Sequence, residues 1–254
     1  MSDLFHPIGI EQLTRWLFTE LDTRDSAFGI PRQFFHVPDP AASCRTQVFG
    51  QPLDTPFGPA AGPHSQMAQN IIAAWLCGAR YIELKTVQTL DELNVSKPCI
   101  DMEDEGYNVE WSQELKLHQS FEEYLRAWVL VHALHHRLGF PGESPGTVFN
   151  LSVGYDLAGI RQPNMQWFLD QVEDCAERKN EIIEQVAGYY PAIRDIEIPD
   201  RIADNVTLST MHGCPPDEIE GICEALMRDR QLHTLVKCNP TLLGSERVRT
   251  ILND

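Results

Sequence analysis

The chain has 254 residues, 43% hydrophobic and 22% charged, which is enough apolar material for one large domain or two. A formal net charge of −17 argues against duplex nucleic acid or an anionic membrane surface as partner, and no apolar run reaches the ~18 residues of a membrane span. The start, Met1-Ser-Asp-Leu-Phe-His-Pro-Ile8, lacks the basic flank and apolar core of a secretory signal. Seven scattered cysteines without a CxxC pair predict reduced thiols in a cytoplasm, and no zinc-ribbon or iron–sulfur ligation within this segment.

Taken in order, residues 9–22 space their apolar side chains helically, and a proline-rich lead-in follows to about residue 45. Thr46 to Leu53 reads as a small hairpin around Gly50-Gln51. Thr55-Pro-Phe-Gly-Pro-Ala-Ala-Gly-Pro-His64 reads as a short first strand opening into a small-residue loop. Met67 to Cys77 is predicted as a helix stopped by Gly78, and Arg80 to Val87 as a second strand. Residues 88–112 form a polar loop of a length that usually serves function. Glu114 to Leu138 is a long helix carrying His132, His135 and His136. No carboxylate or Cys accompanies them at ligand spacing, so they are expected on a solvated helix face and no metal site is assigned. Thr147 to Val153 is a third strand, Asn164 to Tyr190 a helical region, Asn205 to Thr210 a fourth strand and residues 216–229 its helix. Leu232 to Cys238 is a fifth strand, and a fifth helix begins at Gly244.

Five strand-then-helix units with no adjacent strand runs predict parallel pairing. An open doubly wound sheet and a (β/α)₈ TIM barrel both fit, and the absence of GxGxxG and GxxxxGK[ST] weakens the nucleotide-binding version. Polar residues cluster at predicted strand ends: Lys85-Thr86, Asn150-Ser152, Cys214 and Lys237-Asn239. In a barrel that end is where chemistry is assembled. Five units do not close an eight-stranded barrel, so the expectation is a partial barrel over 46–254, continued beyond Asp254. Cys214 stands between a strand end and a helix start opened by Pro215-Pro216-Asp217-Glu218. The helix dipole there is expected to favour its thiolate, which makes it a candidate proton donor or acceptor.

Several phrases converge on one family. Thr55-Pro-Phe-Gly-Pro-Ala-Ala-Gly62, Leu84-Lys-Thr86, Asn94-Val-Ser-Lys-Pro98, Met211-His-Gly-Cys-Pro215 and Lys237-Cys-Asn-Pro-Thr241 stand in order at successive strand ends. They resemble the flavin barrels of dihydroorotate dehydrogenase and dihydropyrimidine dehydrogenase over roughly residues 46–250. Gly58-Pro-Ala-Ala-Gly-Pro-His64, Asn150-Leu-Ser-Val-Gly-Tyr155 and Leu208-Ser-Thr-Met-His-Gly-Cys-Pro-Pro216 are similar to one branch, the large flavoprotein subunit of the selenate reductase type.

The resemblance implies a dihydroorotate-dehydrogenase-type TIM barrel that binds FMN or FAD. Beyond it would lie a module with FAD, NAD(P)H and iron–sulfur clusters, with redox subunits of the molybdenum hydroxylase type as partners and a link to purine catabolism. Ala60, Ala61 and Gly62 would form a backbone platform against the flavin ring. Lys85, Thr86, Asn150 and Lys237 would contact the flavin, the lysines favouring its anionic reduced form. Asn94, His64 and Asn239 would meet a planar nitrogen heterocycle. Cys214, with His212 beside it, would handle the proton. Met211 replaces the family's usual amide and Gly213 a serine, which leaves the substrate open. The family holds the flavin phosphate on loops after strands seven and eight, so this segment alone is expected not to retain flavin. Two other readings stay open: a degenerate barrel that docks subunits or carries electrons, and a flavin-free lyase with Lys85 or Lys237 as Schiff-base amine.

Overall fold

The computed structural model describes residues 5–91, 100–101, 107–108, 114–210, 213–238 and 243–253. Its elements follow the order α1 (Ile10–Arg24), β1 (Ser26–Ala27), β2 (Ile30–Pro31), β3 (Thr46–Val48), β4 (Gln51–Leu53), α2 (Ala68–Leu76), β5 (Tyr81–Glu83), β6 (Ile100–Asp101), β7 (Tyr107–Asn108), α3 (Leu117–Leu138), β8 (Val148–Val153), α4 (Leu157–Ile160), α5 (Pro163–Glu173), α6 (Ala176–Ala187), β9 (Asn205–Ser209), α7 (Ile219–Glu224), β10 (His233–Lys237) and α8 (Ser245–Asn253).

One sheet organises the molecule. Its order is β10-β9-β8-β5, with every pair parallel. The register puts Glu83 beside Asn150, Ser152 beside Thr207 and Ser209 beside Lys237. Side chains alternate across a strand. One face therefore carries the polar series Glu83, Asn150, Ser152, Asn205, Thr207, Ser209 and Lys237. The other carries Ile82, Phe149, Leu151, Val206 and Leu208, all buried. The apolar face is roofed by helices: Trp128 of α3 packs edge-on against Phe149 at 5.1 Å, and Tyr124 donates from its hydroxyl to the Lys85 carbonyl at 2.9 Å.

The expected first strand at Thr55 does not form as a regular strand. Residues 57–59 do run beside β5: the Phe57 carbonyl accepts from Arg80 N and Tyr81 N, and the Pro59 carbonyl accepts from Glu83 N. Pro56 and Pro59 have no N–H to return, so the ladder is one-sided. Past Glu83 the second strand bulges. Leu84 N donates to the Asn150 carbonyl, but Val87 N, not Thr86 N, donates to that of Ser152, and Val87 bridges Val153. One extra residue on the β5 side leaves Lys85 and Thr86 together opposite Ser152.

The β3–β4 hairpin turns at Phe49 and Gly50, both at positive φ as a two-residue hairpin turn demands. It covers the amino-terminal end of the sheet. Phe49 stacks on His233 at 4.6 Å, Gln51 donates to Asp204 at 2.7 Å, and Asp54 N donates to the Gly146 carbonyl at 3.1 Å. The predicted helix 164–190 is two helices, broken at Asp174-Cys175, where Cys175 N turns to the Asp200 carbonyl. The helix after β9 opens with a single tight turn at Pro216–Glu218 and closes with a π turn at Ala225–Asp229.

Helix α3 is buried on several sides, because α2, α5 and α6 all pack against it. The expectation of a solvated histidine face is therefore corrected for two of the three. His132 and His135 are buried, and only His136 is exposed, with Nδ1 2.5 Å from the Tyr190 hydroxyl.

Candidate functional site at the carboxyl ends of the strands

The small-residue loop after Phe57 is laid along the end of β5. Gly58 makes this possible, since a Cβ there would stand 1.6 Å from the Tyr81 carbonyl oxygen. Three bonds then fix the loop: Glu83 N to the Pro59 carbonyl, Ala61 N to Glu83 Oε2 at 2.9 Å, and Lys85 N to the Ser65 carbonyl at 3.3 Å. Ala60 is exposed, Ala61 half-buried and Gly62 buried. The His64 ring folds back over Gly62, where an added Cβ would meet Cε1 at 2.7 Å.

Glu83 also receives Lys237, whose Nζ lies 2.7 Å from Oε1 and 2.9 Å from Oε2. β5 and β10 are the two outer strands of the sheet. Three strand spacings of about 4.8 Å would separate them by about 14 Å on a flat surface, so the two long side chains meet as a chord across the polar face. Sequence reasoning singled out Lys237 and the Ala60–Gly62 loop but not Glu83, the carboxylate that joins them. Nearby, Tyr81 is pushed up to about 12, first by burial and then by the charges of Glu83 and Asp204.

Asn150 is fully buried, and both ends of its amide are engaged. Nδ2 donates to Asn205 at 2.6 Å, and Oδ1 accepts from the Thr207 hydroxyl at 2.7 Å. Thr86 and Ser152 share a hydroxyl–hydroxyl bond of 2.7 Å. Lys85 is buried beside them in sequence, at 3% exposure. Beyond the strands, Thr210 donates to the Lys237 carbonyl at 2.8 Å and ties the ends of β9 and β10.

Cys214 follows Gly213, which sits at φ 70°, and is 8% exposed within the apolar core. Its thiol is raised above the ordinary range, chiefly by burial and then by Cys223 and Glu218. The expected thiolate is thus corrected. Burial, with Cys223 and Glu218 acting in the same direction, opposes the thiolate that a helix dipole would favour. The Sγ donates to the Pro215 carbonyl at 3.9 Å; what Cys214 shares with the Lys237–Glu83–Ala61 group is the end of the sheet. Asn94, His212 and Asn239 lie outside the described residues.

A cleft of roughly 620 Å³ opens at the same end, between the loops after β5 and β8, lined by Thr89, Leu90, Tyr155, Asp156, Gln162 and Asn164. None of the candidate site residues named from sequence lines it, although Thr89 and Leu90 open the long polar loop and Tyr155 ends the Asn150–Tyr155 phrase. Tyr155, at φ 94°, is its clearest mark, a non-glycine residue in left-handed backbone. Among the described residues, no group of three or more His, Cys, Asp or Glu is placed to hold a metal, and no helix is long and apolar enough to cross a membrane.

A family model described as the N-terminal TIM-barrel domain of the oxidoreductase YgfK matches residues 28–254. The chain belongs to that family. It is also 44% identical, over 272 aligned residues, to proteins named "Putative oxidoreductase YgfK" from Escherichia coli K12 and from Escherichia coli O157:H7. All of this chain is covered in those alignments but only 26% of each relative, so the chain spans about a quarter of their length. The parallel α/β sheet agrees with the family's description as a barrel domain. Among the described residues it is an open four-stranded sheet.

Proposed function

We propose that this domain is the first part of a dihydroorotate-dehydrogenase-type flavin barrel in a multidomain oxidoreductase, acting on a C=C or C=N bond of a nitrogen heterocycle. The observation that carries the reading is the Lys237–Glu83–Ala61 chord. It fixes a cation beside an accessible loop of small residues at the end of the sheet where barrel enzymes do their chemistry.

The residues present fit an FMN ring. The Ala60–Gly62 backbone offers a surface without bulky side chains, and Lys237 is 39% exposed, so its charge is available to a neighbour. A cation there favours negative charge on the pyrimidine edge of the ring. Bound there, the flavin would supply the hydride. The proton would come from Cys214: burial keeps its Sγ–H intact, which suits a general acid in the reductive direction, and the thiolate left behind regains its proton from solvent. Asn94 and Asn239 would orient the heterocycle, with His64 at the loop's edge. FAD, NAD(P)H and iron–sulfur clusters are assigned to the remaining three quarters of the longer protein, and redox subunits of the molybdenum hydroxylase type to its partners. Schiff-base chemistry at Lys237 is disfavoured, since it needs an uncharged, desolvated amine and this one is ion-paired and half-open to solvent.

The test is the flavin content of the full-length protein after acid release. About one FMN per chain is expected, reduced in Lys237→Met and retained in Cys214→Ala, whose flavin should bind heterocycles but turn over ~100-fold or more slowly. A full-length protein without FMN overturns the reading.

A further inference from the structure

Glu83 sits at the crossing point of the site without belonging to any motif. It is 7% exposed. One carboxylate accepts the Ala61 N–H and the Lys237 ammonium, from segments that leave opposite edges of the sheet. A buried carboxylate is costly unless paired and hydrogen-bonded, so neither partner leaves without stranding it. The loop and the lysine are therefore held in one geometry by a third group.

We propose that Glu83 is a positioning residue of the flavin site. It sets the separation between the Lys237 ammonium and the Ala60–Gly62 platform, and it sets how much of the lysine's charge reaches a ring lying on that platform. This inference rests on the flavin reading given above. An ion pair presents a neighbour with a dipole, whereas a lone ammonium presents a full charge. At a separation of several ångströms in a partly screened site, the difference corresponds to on the order of tenfold in the balance between the anionic reduced ring and the neutral oxidised one. Glu83 would thus restrain Lys237 and keep the ring from being over-stabilised in its reduced form, so that it can pass electrons on.

The decisive comparison is between the full-length wild-type protein, Glu83→Gln and Glu83→Asp. Glutamine keeps the shape and an oxygen that accepts from Ala61 N while removing the charge. Aspartate keeps the charge on a shorter arm. FMN content is measured first, then the midpoint potential of the bound FMN by redox titration of its absorbance. In Glu83→Gln the potential should rise, with a roughly tenfold higher ratio of reduced to oxidised ring at fixed potential. Glu83→Asp should return part of the way. As a second readout, independent of flavin, Lys237 should be acylated several-fold faster in Glu83→Gln when mapped by mass spectrometry. FMN bound to all three proteins at one shared potential overturns the role of Glu83 and leaves the flavin reading standing; a lowered melting temperature alone, with the potential unmoved, does the same. Absence of FMN from the wild-type protein overturns the flavin reading itself.

Discussion

A Cβ on Gly58 would fall 1.6 Å from Tyr81 O and 2.5 Å from Tyr81 C, both backbone atoms of β5. No rotamer change relieves a contact of that kind, so Gly58→Ala must push residues 57–59 off the strand and break the bonds they accept. A loss of about 3 kcal/mol or more in unfolding free energy is expected, read from denaturant titration. Gly146→Ala would meet a side chain instead, Asp54 Oδ2 at 2.0 Å, but that carboxylate is held by Arg45 at 3.1 Å and faces the buried Arg80. Residues of this sort were only partly legible in the sequence. Lys237 and the Ala60–Gly62 loop stood out because a lysine ending an apolar strand, or a run of small residues after one, is unusual composition. Glu83 did not, because a single acid in a strand reads as a solvent-facing residue. Only the alternation seen in every strand at once, Glu83, Asn150-Ser152, Asn205-Thr207-Ser209 and Lys237, shows that these residues share one polar face of the sheet. The position of Cys214 between a strand end and a helix start was legible, but the thiolate expected there was not borne out, because burial is a property of the packed molecule and not of a helix start.

At the scale of the element, α3 shows what local pattern cannot supply. Its apolar spacing was clear, and its limits fell within three residues of the expected ones. His132 is buried beside Lys179 of α6, and His135 against Phe140 and Pro141 just beyond the helix, neighbours that its own helical spacing does not reveal. The hairpin at 46–53 and the four parallel strands were legible because turn residues and β-branched runs bound them sharply. The first strand was not, because its two prolines deny it a ladder, and the break at Cys175 depends on a carbonyl 25 residues away. Burial of α3 has a consequence for pH. His132 donates from Nδ1 to the Trp128 carbonyl at 2.8 Å and is depressed to about 4 from its usual 6.5 by desolvation. His36 and His135 are also lowered, burial being the main cause in each. For a base whose folded value is depressed, the unfolded chain binds the proton first. Stability is then full above about pH 6.5 and falls as pH drops toward 4, by up to about 3 kcal/mol from His132 alone. Urea midpoints measured from pH 7 to 4.5 should decline on that course. His132→Gln should lower stability at pH 7 but remove about one proton from the slope. An unchanged slope in the variant would show that His132 does not titrate this way.

Among the described residues of the whole molecule the sheet ends on β10, and that edge carries exposed apolar side chains. Leu235 and Val236 are 37% and 38% exposed, and Lys237, the charge that could blunt the edge, is drawn across the polar face to Glu83. Natural sheets protect such edges with charge, proline or a covering element. The opposite edge follows this rule, since residues 57–59 cover β5. The relatives are about four times as long as the matched region, and a strand supplied by a longer protein would cover β10 in the same manner. The 254-residue chain alone should therefore self-associate and fail to retain FMN, while the full-length protein should be well behaved and hold it. A charge at the edge separates this cause from general instability. Val236→Lys should improve the solubility of the short chain, where position 236 is open, and harm the full-length protein, where a covering strand would bury it. Light scattering after size-exclusion chromatography, with flavin absorbance read on each peak, gives both measurements. A short chain that runs as a stable monomer with bound FMN would mean that β10 needs no neighbour, and that loops within these 254 residues hold the flavin phosphate.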